Sequence, residues 1–433
     1  MSSTTGFFGM RGTGDWTNEE RPKSFREGLL YMYPNGKMPL TGITSKGKNK
    51  AVDDPEFKWF TKNLAARGGA CAGAYEDLAL GTLYAAGDAG SVGSLVYCKV
   101  AAAVVTHFRP GHVALLIDAD DVSKYVVGKV VSMSTNGASS YVLVKLLKAC
   151  DAGVLSAVDY IDIIGSVNPE GGTIPDGVSY DPSKYSNYTQ IFRTPLSVTR
   201  TQQKTKMRTG MTYPELKREA YEQHGIDLEL AILFGEKTEL TGDNGQPERT
   251  SQGIRSFLKE HNSANILDYR SATATADLTW LQGGEDWLDE SLEVLFRYGR
   301  EEKLGIAGSG AILGIQKLVK SVGQYSISST TAGYGINVVR WITPFGEIML
   351  KTHPLFSHKA YLRNTIILLE PENIQTRVLD DTMYKEDPDR MKKAGQIALD
   401  GIKEEYLTEL GWEFHFPETF MELNGVGSDG NNV

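Results

Sequence analysis

A helix signal opens at Thr212 and meets no stop until Gly235. Thr212 and Glu215 have the spacing of a capping box, in which each side chain satisfies the other residue's orphan backbone N–H. Pro214 falls in the first turn, where a missing N–H costs little. Leu216, Ala220, Ala231 and Phe234 continue an apolar pattern, and Gly235 is placed to serve as C′. About 22 residues at ~1.5 Å each make a rod of ~33 Å, which any fold of this chain has to accommodate. Its middle is weak, because Gly225 costs about 1 kcal/mol against Ala. His224 and Asp227 interrupt the apolar stripe at the same place.

The segments before the rod read differently. Residues 1–66 carry eight glycines and 10 Lys/Arg against 7 Asp/Glu, with no sustained period. An arm that long is unusual inside a compact domain and is expected to lie against another subunit or to be disordered. Only Pro55 to Ala66 suggests a helix there, with Phe57, Phe60 and Leu64 at i, i+3 and i+7. Residues 95–165 read as a β-rich module. Val113 to Ile117, Lys124 to Met133 and Tyr141 to Leu147 are rich in β-branched and aromatic residues, and Tyr160 to Ile164 adds a further strand. Asp118–Asp121 and Ser134–Ser140 separate them, and Asn136-Gly137 is a hairpin signal. Residues 165–190 predict a long loop.

After the rod, residues 250–345 read as a compact α/β unit. A helix over Glu285 to Tyr298 sets Trp287, Leu288, Leu292, Leu295 and Phe296 on one face, with acids in its first turn. A strand at Leu304 to Ala307 and a helix from about Ala311 to Val322 follow. Strands are expected at Gly335 to Ile342 and Glu347 to Lys351, joined by Pro344-Phe345-Gly346, and at Leu362 to Leu369. Near the end Leu410, Trp412, Phe414 and Phe416 alternate with Gly411, Glu413 and His415, the pattern of a half-buried strand.

Composition excludes several classes. At 433 residues with 41% hydrophobic and 23% charged residues, the chain can build a core and spans two to four domains' worth of length. Its 46 glycines follow no Gly-X-Y period. A net charge of −9 argues against condensing DNA by its own charge, because phosphate neutralisation needs Lys and Arg. Cys71, Cys98 and Cys150 are too few and too scattered for a disulfide framework or a zinc site. No apolar run reaches the ~18 residues of a membrane span, and Met1 to Trp16 lacks a secretory pattern.

The catalytic and ligand motifs are weak. Gly42-x-x-x-x-Gly47-Lys48 matches a phosphate loop until Asn49, where Ser or Thr should hold Mg²⁺. Gly308, Gly310 and Gly314 lie between a strand and a helix, as a dinucleotide site needs, but Gln324 to Arg340 has no acid for a ribose hydroxyl. His353 and His358 with Glu347 and Glu370 do not show the convergence of a metal site, and Asp118, Asp120 and Asp121 read as a polar hairpin tip. No catalytic, cofactor-binding or metal-binding residue is assigned, and no cofactor is expected. One stretch remains as a site candidate: Arg193, Arg200, Lys204, Lys206 and Arg208 precede the rod with no intervening acid. Such a stretch suits contact with phosphates or with an acidic neighbouring surface, and equally a solvated strand face.

Five passages together carry a resemblance. They are Tyr188 to Gln202 (YTQIFRTPLSVTRTQ), Glu215 to Gly235 (ELKREAYEQHGIDLELAILFG), Leu304 to Gly310 (LGIAGSG), Val338 to Met349 (VVRWITPFGEIM) and Gly411 to Val426 (GWEFHFPETFMELNGV). As a series they resemble the major capsid proteins of tailed bacteriophages, which have the Hong Kong 97-type fold. The resemblance covers residues 40–426. It implies an α+β fold with an N-terminal arm over 1–70 and an extended loop with its β-rich insertion over 71–192. It further implies a peripheral domain with a spine helix over 193–264, an axial domain over 265–345, and a return to the peripheral domain over 346–433. The implied function is assembly into hexamers and pentamers of an icosahedral head shell around double-stranded DNA, bound non-specifically. The implied partners are the chain itself, a separate scaffolding protein, a portal and decoration proteins, with assembly in the host bacterial cytoplasm and no membrane. The family prototype's covalent subunit cross-link needs a Lys and Asn pair that cannot be placed here. The competing readings are another virion structural protein, such as a tail-tube or decoration protein, or a nucleotide-binding enzyme built on Gly308, Gly310 and Gly314.

Overall fold

The computed structural model describes residues 49–64, 66–205, 212–322, 327–332, 336–386 and 401–433. Most of the expected arm, the Gly42–Lys48 motif, Lys206 and Arg208 lie outside these residues. So does the side chain of Thr212, and with it the expected capping box. The chain forms two compact units: Phe60–Ser183, and an outer unit of residues up to Trp59 together with Lys184–Val433.

The chain enters through β1 (Asn49–Ala51) and β2 (Glu56–Thr61). β2 replaces the helix expected over 55–66. Phe57, Trp59 and Thr61 are buried while Lys58 and Phe60 are exposed, so the working period is 2 and not 3.6. Leu64, the third member of the supposed helical stripe, is fully exposed.

In the Phe60–Ser183 unit, β3 (Gly68–Tyr75), β4 (Leu95–Val100), β5 (His112–Ile117), β6 (Tyr125–Ser134), β7 (Tyr141–Leu146) and β8 (Tyr160–Ser166) form a closed barrel in the order β3-β4-β7-β6-β5-β8. A short helix, α1 (Ala102–Val105), follows β4. Alternation fills the interior: Val96, Cys98, Ala114, Leu116, Val130, Val142, Val144 and Ile161 have at most 0% exposure. Closure leaves no unpaired strand edge. Bulges at Cys71/Gly73, Val113/Ala114 and Val130/Ser132 supply the bending that closure requires. The expected strands over 113–164 are all present. β3 reads GGACAGAY and has no β-branched residue, so nothing local announces it. The Asn136-Gly137 hairpin forms, but through the longer loop 135–140 with a 3₁₀ turn over Gly137–Ser139. There Ser140 Oγ accepts from Asn136 N at 2.8 Å.

The outer unit continues with β9 (Ser183–Tyr188), which pairs with β2 and shortens the expected 165–190 loop to 167–182. Then come β10 (Gln190–Thr199), α2 (Arg200–Lys204) and the rod, α3 (Thr212–Phe234). An exposed hairpin of β11 (Thr238–Thr241) and β12 (Pro247–Thr250) leads to α4 (Ile254–His261) and β13 (Ile266–Asp268). Next are α5 (Trp280–Phe296), β14 (Glu302–Ala307), α6 (Ser309–Val322), β15 (Ile327–Ala332), β16 (Ile336–Ile342), β17 (Glu347–Thr352) and α7 (Pro354–His358). The chain closes with β18 (Ile366–Leu369), β19 (Ile374–Lys385), β20 (Gly401–Phe414) and β21 (Met421–Asn424). Among the described residues these strands make a four-stranded sheet, β1-β19-β20-β10, and a seven-stranded mixed sheet, β13-β21-β18-β14-β17-β16-β15.

Two hydrophobic cores hold the outer unit. One joins the rod and α4 to strands of both sheets through Phe57, Trp59, Phe192, Ile232, Leu233, Phe257, Phe414 and Phe420. The other packs α5 and α6 on the seven-stranded sheet through Trp280, Trp287, Leu288, Leu292, Ile315, Trp341 and Ile348. The expected rod is present at nearly its expected length. Its closing glycine takes the expected C′ position, with Gly235 N donating to Ala231 O at 2.8 Å, though without a positive φ. A Cβ on Gly235 would collide with Ser251 O and meet Ala231 O at 2.6 Å, and Gly253 N donates to Gly235 O at 2.8 Å. Gly235 is therefore a site of close backbone approach.

Other expectations shift. α5 begins at Trp280 and not Glu285, with Thr279 and Gln282 forming the capping box and no acid in its first turn. The buried pair Gly283 and Gly284, which looks like a helix breaker, instead lets Tyr269 and Leu278 approach the helix and leaves room for the ring of its own Trp280. The last long strand is not half-buried. Gly411, Trp412, Glu413 and Phe414 are all buried, because β20 runs between β19 and β10 with both faces covered at that end. The overall class is α+β, as expected.

Candidate functional site

Of the five basic candidates, three are described. Arg193 on β10 reaches across to β20 and grips Glu405 with two bonds, Nε to Oε2 at 2.8 Å and Nη2 to Oε1 at 2.7 Å. That grip holds the Glu405 carboxyl below its usual range, so this arginine's charge is matched inside its own chain. Arg200 opens α2, whose N-cap Thr199 accepts from Gln202 N. Lys204 closes the same helix and is exposed.

The glycine motif has the expected strand-to-helix setting, from β14 into α6, but its space is filled by the chain itself. A Cβ on Gly308 would strike Arg363 O, one on Gly310 would strike the Asn364 side chain, and one on Gly314 would strike Gly427 Cα. Gly308 N donates to Thr365 O at 3.0 Å and Ala311 N to Arg363 O at 3.1 Å. The amides that would hold a pyrophosphate are thus occupied by the 363–365 backbone. A shallow cleft between α5 and α6 is lined by Leu288, Ile315, Leu318, Val319 and Trp341, with Glu285 and Asp289, and includes none of the three glycines.

The suspected histidine cluster is dispersed. His353 and Glu229 are both fully buried and meet at 2.8 Å through Nε2 and Oε1, joining the rod to the start of α7. Leu355 N donates to His353 Nδ1 at 3.1 Å, so the histidine caps α7 and donates from Nε2 to Glu229. His358 is exposed, Glu347 pairs with Arg340, and Glu370 pairs with Lys303. Asp118 and Asp121 close the tip of the β5–β6 hairpin, bonding to local backbone and to Lys124. The cysteines are free thiols, with Cys71 and Cys98 buried in the barrel.

Buried polar pins that no sequence pattern announced hold the outer unit. His224, 1% exposed, bridges Thr194 Oγ1 on β10 at 3.0 Å and Thr408 Oγ1 on β20 at 2.7 Å. Lys303, 1% exposed, donates to Glu370 Oε2 at 3.1 Å and Tyr298 O at 3.0 Å. Glu413 holds Arg377 and His415. Polar side chains at interior strand positions were the available signal, and it is weak because most such residues are exposed.

Among the described residues these pins tie helices and strands of the outer unit to one another. The family model of the SU10 major capsid protein matches residues 9–427. The chain belongs to the SU10 major capsid protein family. Its place is that of a phage major capsid protein, a subunit of the capsid shell. A major capsid protein of Pseudomonas phage PaMx41 is 22% identical over 347 residues, 77% of this chain and 73% of that protein. Among solved structures, that of Mycobacterium phage Bobi is 8% identical and overlaps 94% of this chain and 96% of its own, with a TM-score of 0.44. The capsid of a native GTA particle covers the same shares at 7% identity and a TM-score of 0.44. The holo-SrpI encapsulin complex of Synechococcus elongatus PCC 7942 overlaps 57% of this chain and 76% of its own, at 11% identity and a TM-score of 0.37. All three overlays are loose.

Proposed function

We propose that this capsid subunit has the Hong Kong 97-type architecture and assembles as hexamers and pentamers into an icosahedral head around double-stranded DNA. The segments are an arm over 1–70, an extended loop with the barrel over 71–192, a peripheral domain over 193–264 and 346–433, and an axial domain over 265–345. The observation that carries the reading is the amount of apolar surface the chain leaves uncovered. Phe60, Leu78, Val92, Val122, Tyr125 and Ile164 are each more than half exposed in the Phe60–Ser183 unit, and Ile174 is 96% exposed. Isolated exposed residues are normal, but more than half of the exposed large apolar side chains among the described residues lie in this one unit. A shell subunit buries such surface on its sisters, where head-to-tail contacts close into rings. Each contact is modest, because many act together.

The subunit acts as a structural protein and not as an enzyme, a reading supported by the filled glycine turn. A scaffolding protein in trans, a portal and decoration proteins are its partners, and assembly takes place in the host cytoplasm. The acidic chain suits a container that does not hold its DNA tightly. Lys204, with Arg200, Lys206 and Arg208, faces the lumen or the acidic residues 380–433 of a neighbour, and Lys204→Glu with Lys206→Glu should impair assembly or genome retention. The test of the whole reading is expression with and without a scaffold, followed by electron microscopy of high-mass fractions. Closed regular particles, or isolated hexamers and pentamers, are expected; a compact monomer at high concentration beside its own assembly factors would overturn it.

A further inference from the structure

The turn between α1 and β5 carries side-chain nitrogens that its own barrel does not use. Phe108 is 1% exposed and anchors the turn in the barrel core. His107 and Arg109, on either side, are drawn in with it. His107 Nδ1 and Arg109 Nη1 are each closed off from solvent, and neither has a hydrogen-bond partner. The backbone cannot easily carry them out again. Arg109-Pro110-Gly111-His112 has the features of a type II turn: His112 N donates to Arg109 O at 3.2 Å, proline takes the second position, and Gly111 has φ +91° at the third. Arg109 N donates to His112 Nδ1 at 3.3 Å. Gly111 N donates to Val130 O at 2.9 Å, and Val167 N donates to Gly111 O at 2.8 Å, so the turn is tied to β6 and to the segment after β8.

Burial, then Arg109, then Arg67 hold the His112 imidazole toward its neutral form. Among the described residues no carboxylate lies within ion-pair distance of Arg67 or Arg109. Tyr180, from the irregular 167–182 stretch, stacks on His107 with ring centroids 5.4 Å apart and covers the site.

We infer that His107 and Arg109 form an oxyanion site whose occupant in the shell is an aspartate or glutamate carboxylate of a second copy of this chain. A buried guanidinium N–H without an acceptor is costly, and a carboxylate satisfies it with a charge-assisted bond. A duplex backbone would ask for a row of exposed cations. Acids exceed bases by 54 to 45 in the chain, so sister copies supply the partner. The occupant enters by displacing Tyr180.

This inference rests on the shell reading and is tested on particles of the full chain. A reconstruction of wild-type particles should show a neighbour's carboxylate within hydrogen-bond distance of the Arg109 guanidinium. Arg109→Gln particles should fall apart at least tenfold faster at moderate salt while the free subunit melts at the wild-type temperature. If that variant fails to fold, Arg109→Lys, which keeps the charge and loses the fork, should give intermediate durability. Glu170 of the same barrel at the site, a nucleic-acid phosphate there, solvent alone, or wild-type durability in the glutamine variant would each overturn it. Failure of the shell reading shows separately, as no particles from the wild-type chain, and this inference falls with it.

Discussion

His224 interrupts an apolar stripe in the sequence and joins three elements in the structure. Its two ring nitrogens are taken by Thr194 and Thr408, and burial pushes its pKa down, with Asp227 opposing. An unfolded histidine titrates near ~6.5. The folded value lies below that, so the contribution is complete above the unfolded pKa. It is lost as pH falls through it, because the unfolded chain then binds the proton more readily. Unfolding free energy measured in urea should therefore drop between pH 7.5 and 5.5. His224→Gln should flatten that drop without abolishing it, since burial lowers His112 and His261 in the same direction. Lys303 makes the complementary case. Burial lowers its pKa against the pull of Glu370. Lys303→Met leaves a buried Glu370 whose other cation, Arg300, is 3.8 Å away. The expected cost is about 3–5 kcal/mol, read from urea unfolding, and Lys303→Met with Glu370→Gln should recover part of it. Neither role was legible, because Lys303 and Glu370 stand 67 residues apart and nothing near either names the other.

At the scale of elements the rod was legible almost to the residue, because its pattern is local: a proline in the first turn, apolar spacing and a glycine at the end. What glycine does along it was not. Gly225 has nothing within 4 Å of an added Cβ, whereas a Cβ on Gly235 meets the backbone of Ser251 and Ala231. Gly225→Ala should thus stabilise by about 1 kcal/mol through helix propensity. Gly235→Ala should destabilise by about 1–3 kcal/mol through overpacking. Urea denaturation of the two variants side by side distinguishes them, and equal effects would contradict the placement of α4 against the rod's end. The same blindness explains α5, whose Gly283 and Gly284 look like a break but admit Tyr269 and Trp280. It also explains β2, where three aromatic or aliphatic residues fit a helical spacing by coincidence while the buried set alternates.

For the whole molecule, the Phe60–Ser183 unit has its own closed sheet and its own core, and the chain enters and leaves it on the paired strands β2 and β9. It should fold alone. Residues 60–183, expressed separately, should give a cooperative thermal transition and dispersed amide resonances, while self-associating through their exposed apolar residues. The outer unit, with those residues replaced by a short flexible linker, should keep its own cooperative transition. A molten or unfolded fragment in either case would contradict the division. Limited proteolysis should first cut the irregular 167–182 stretch.

The sequence by itself determined the elements whose signals are local. These are the rod, the strands over 113–164 and the β14–α6 turn; its motifs as a series pointed to a phage capsid protein and with it to an α+β fold. Tertiary structure decided what those elements enclose. The barrel closes because β3, without any β-branched residue, pairs with both β4 and β8. The glycines at 308, 310 and 314 are met by the chain's own segments at 363–364 and 427. Arg193, placed for a partner by its sequence neighbours, is matched by Glu405 from 212 residues away. The physical reason is common to all three: propensity and periodicity act between residues a few positions apart, whereas strand pairing, close approach and charge neutralisation are settled by whichever distant segment arrives alongside.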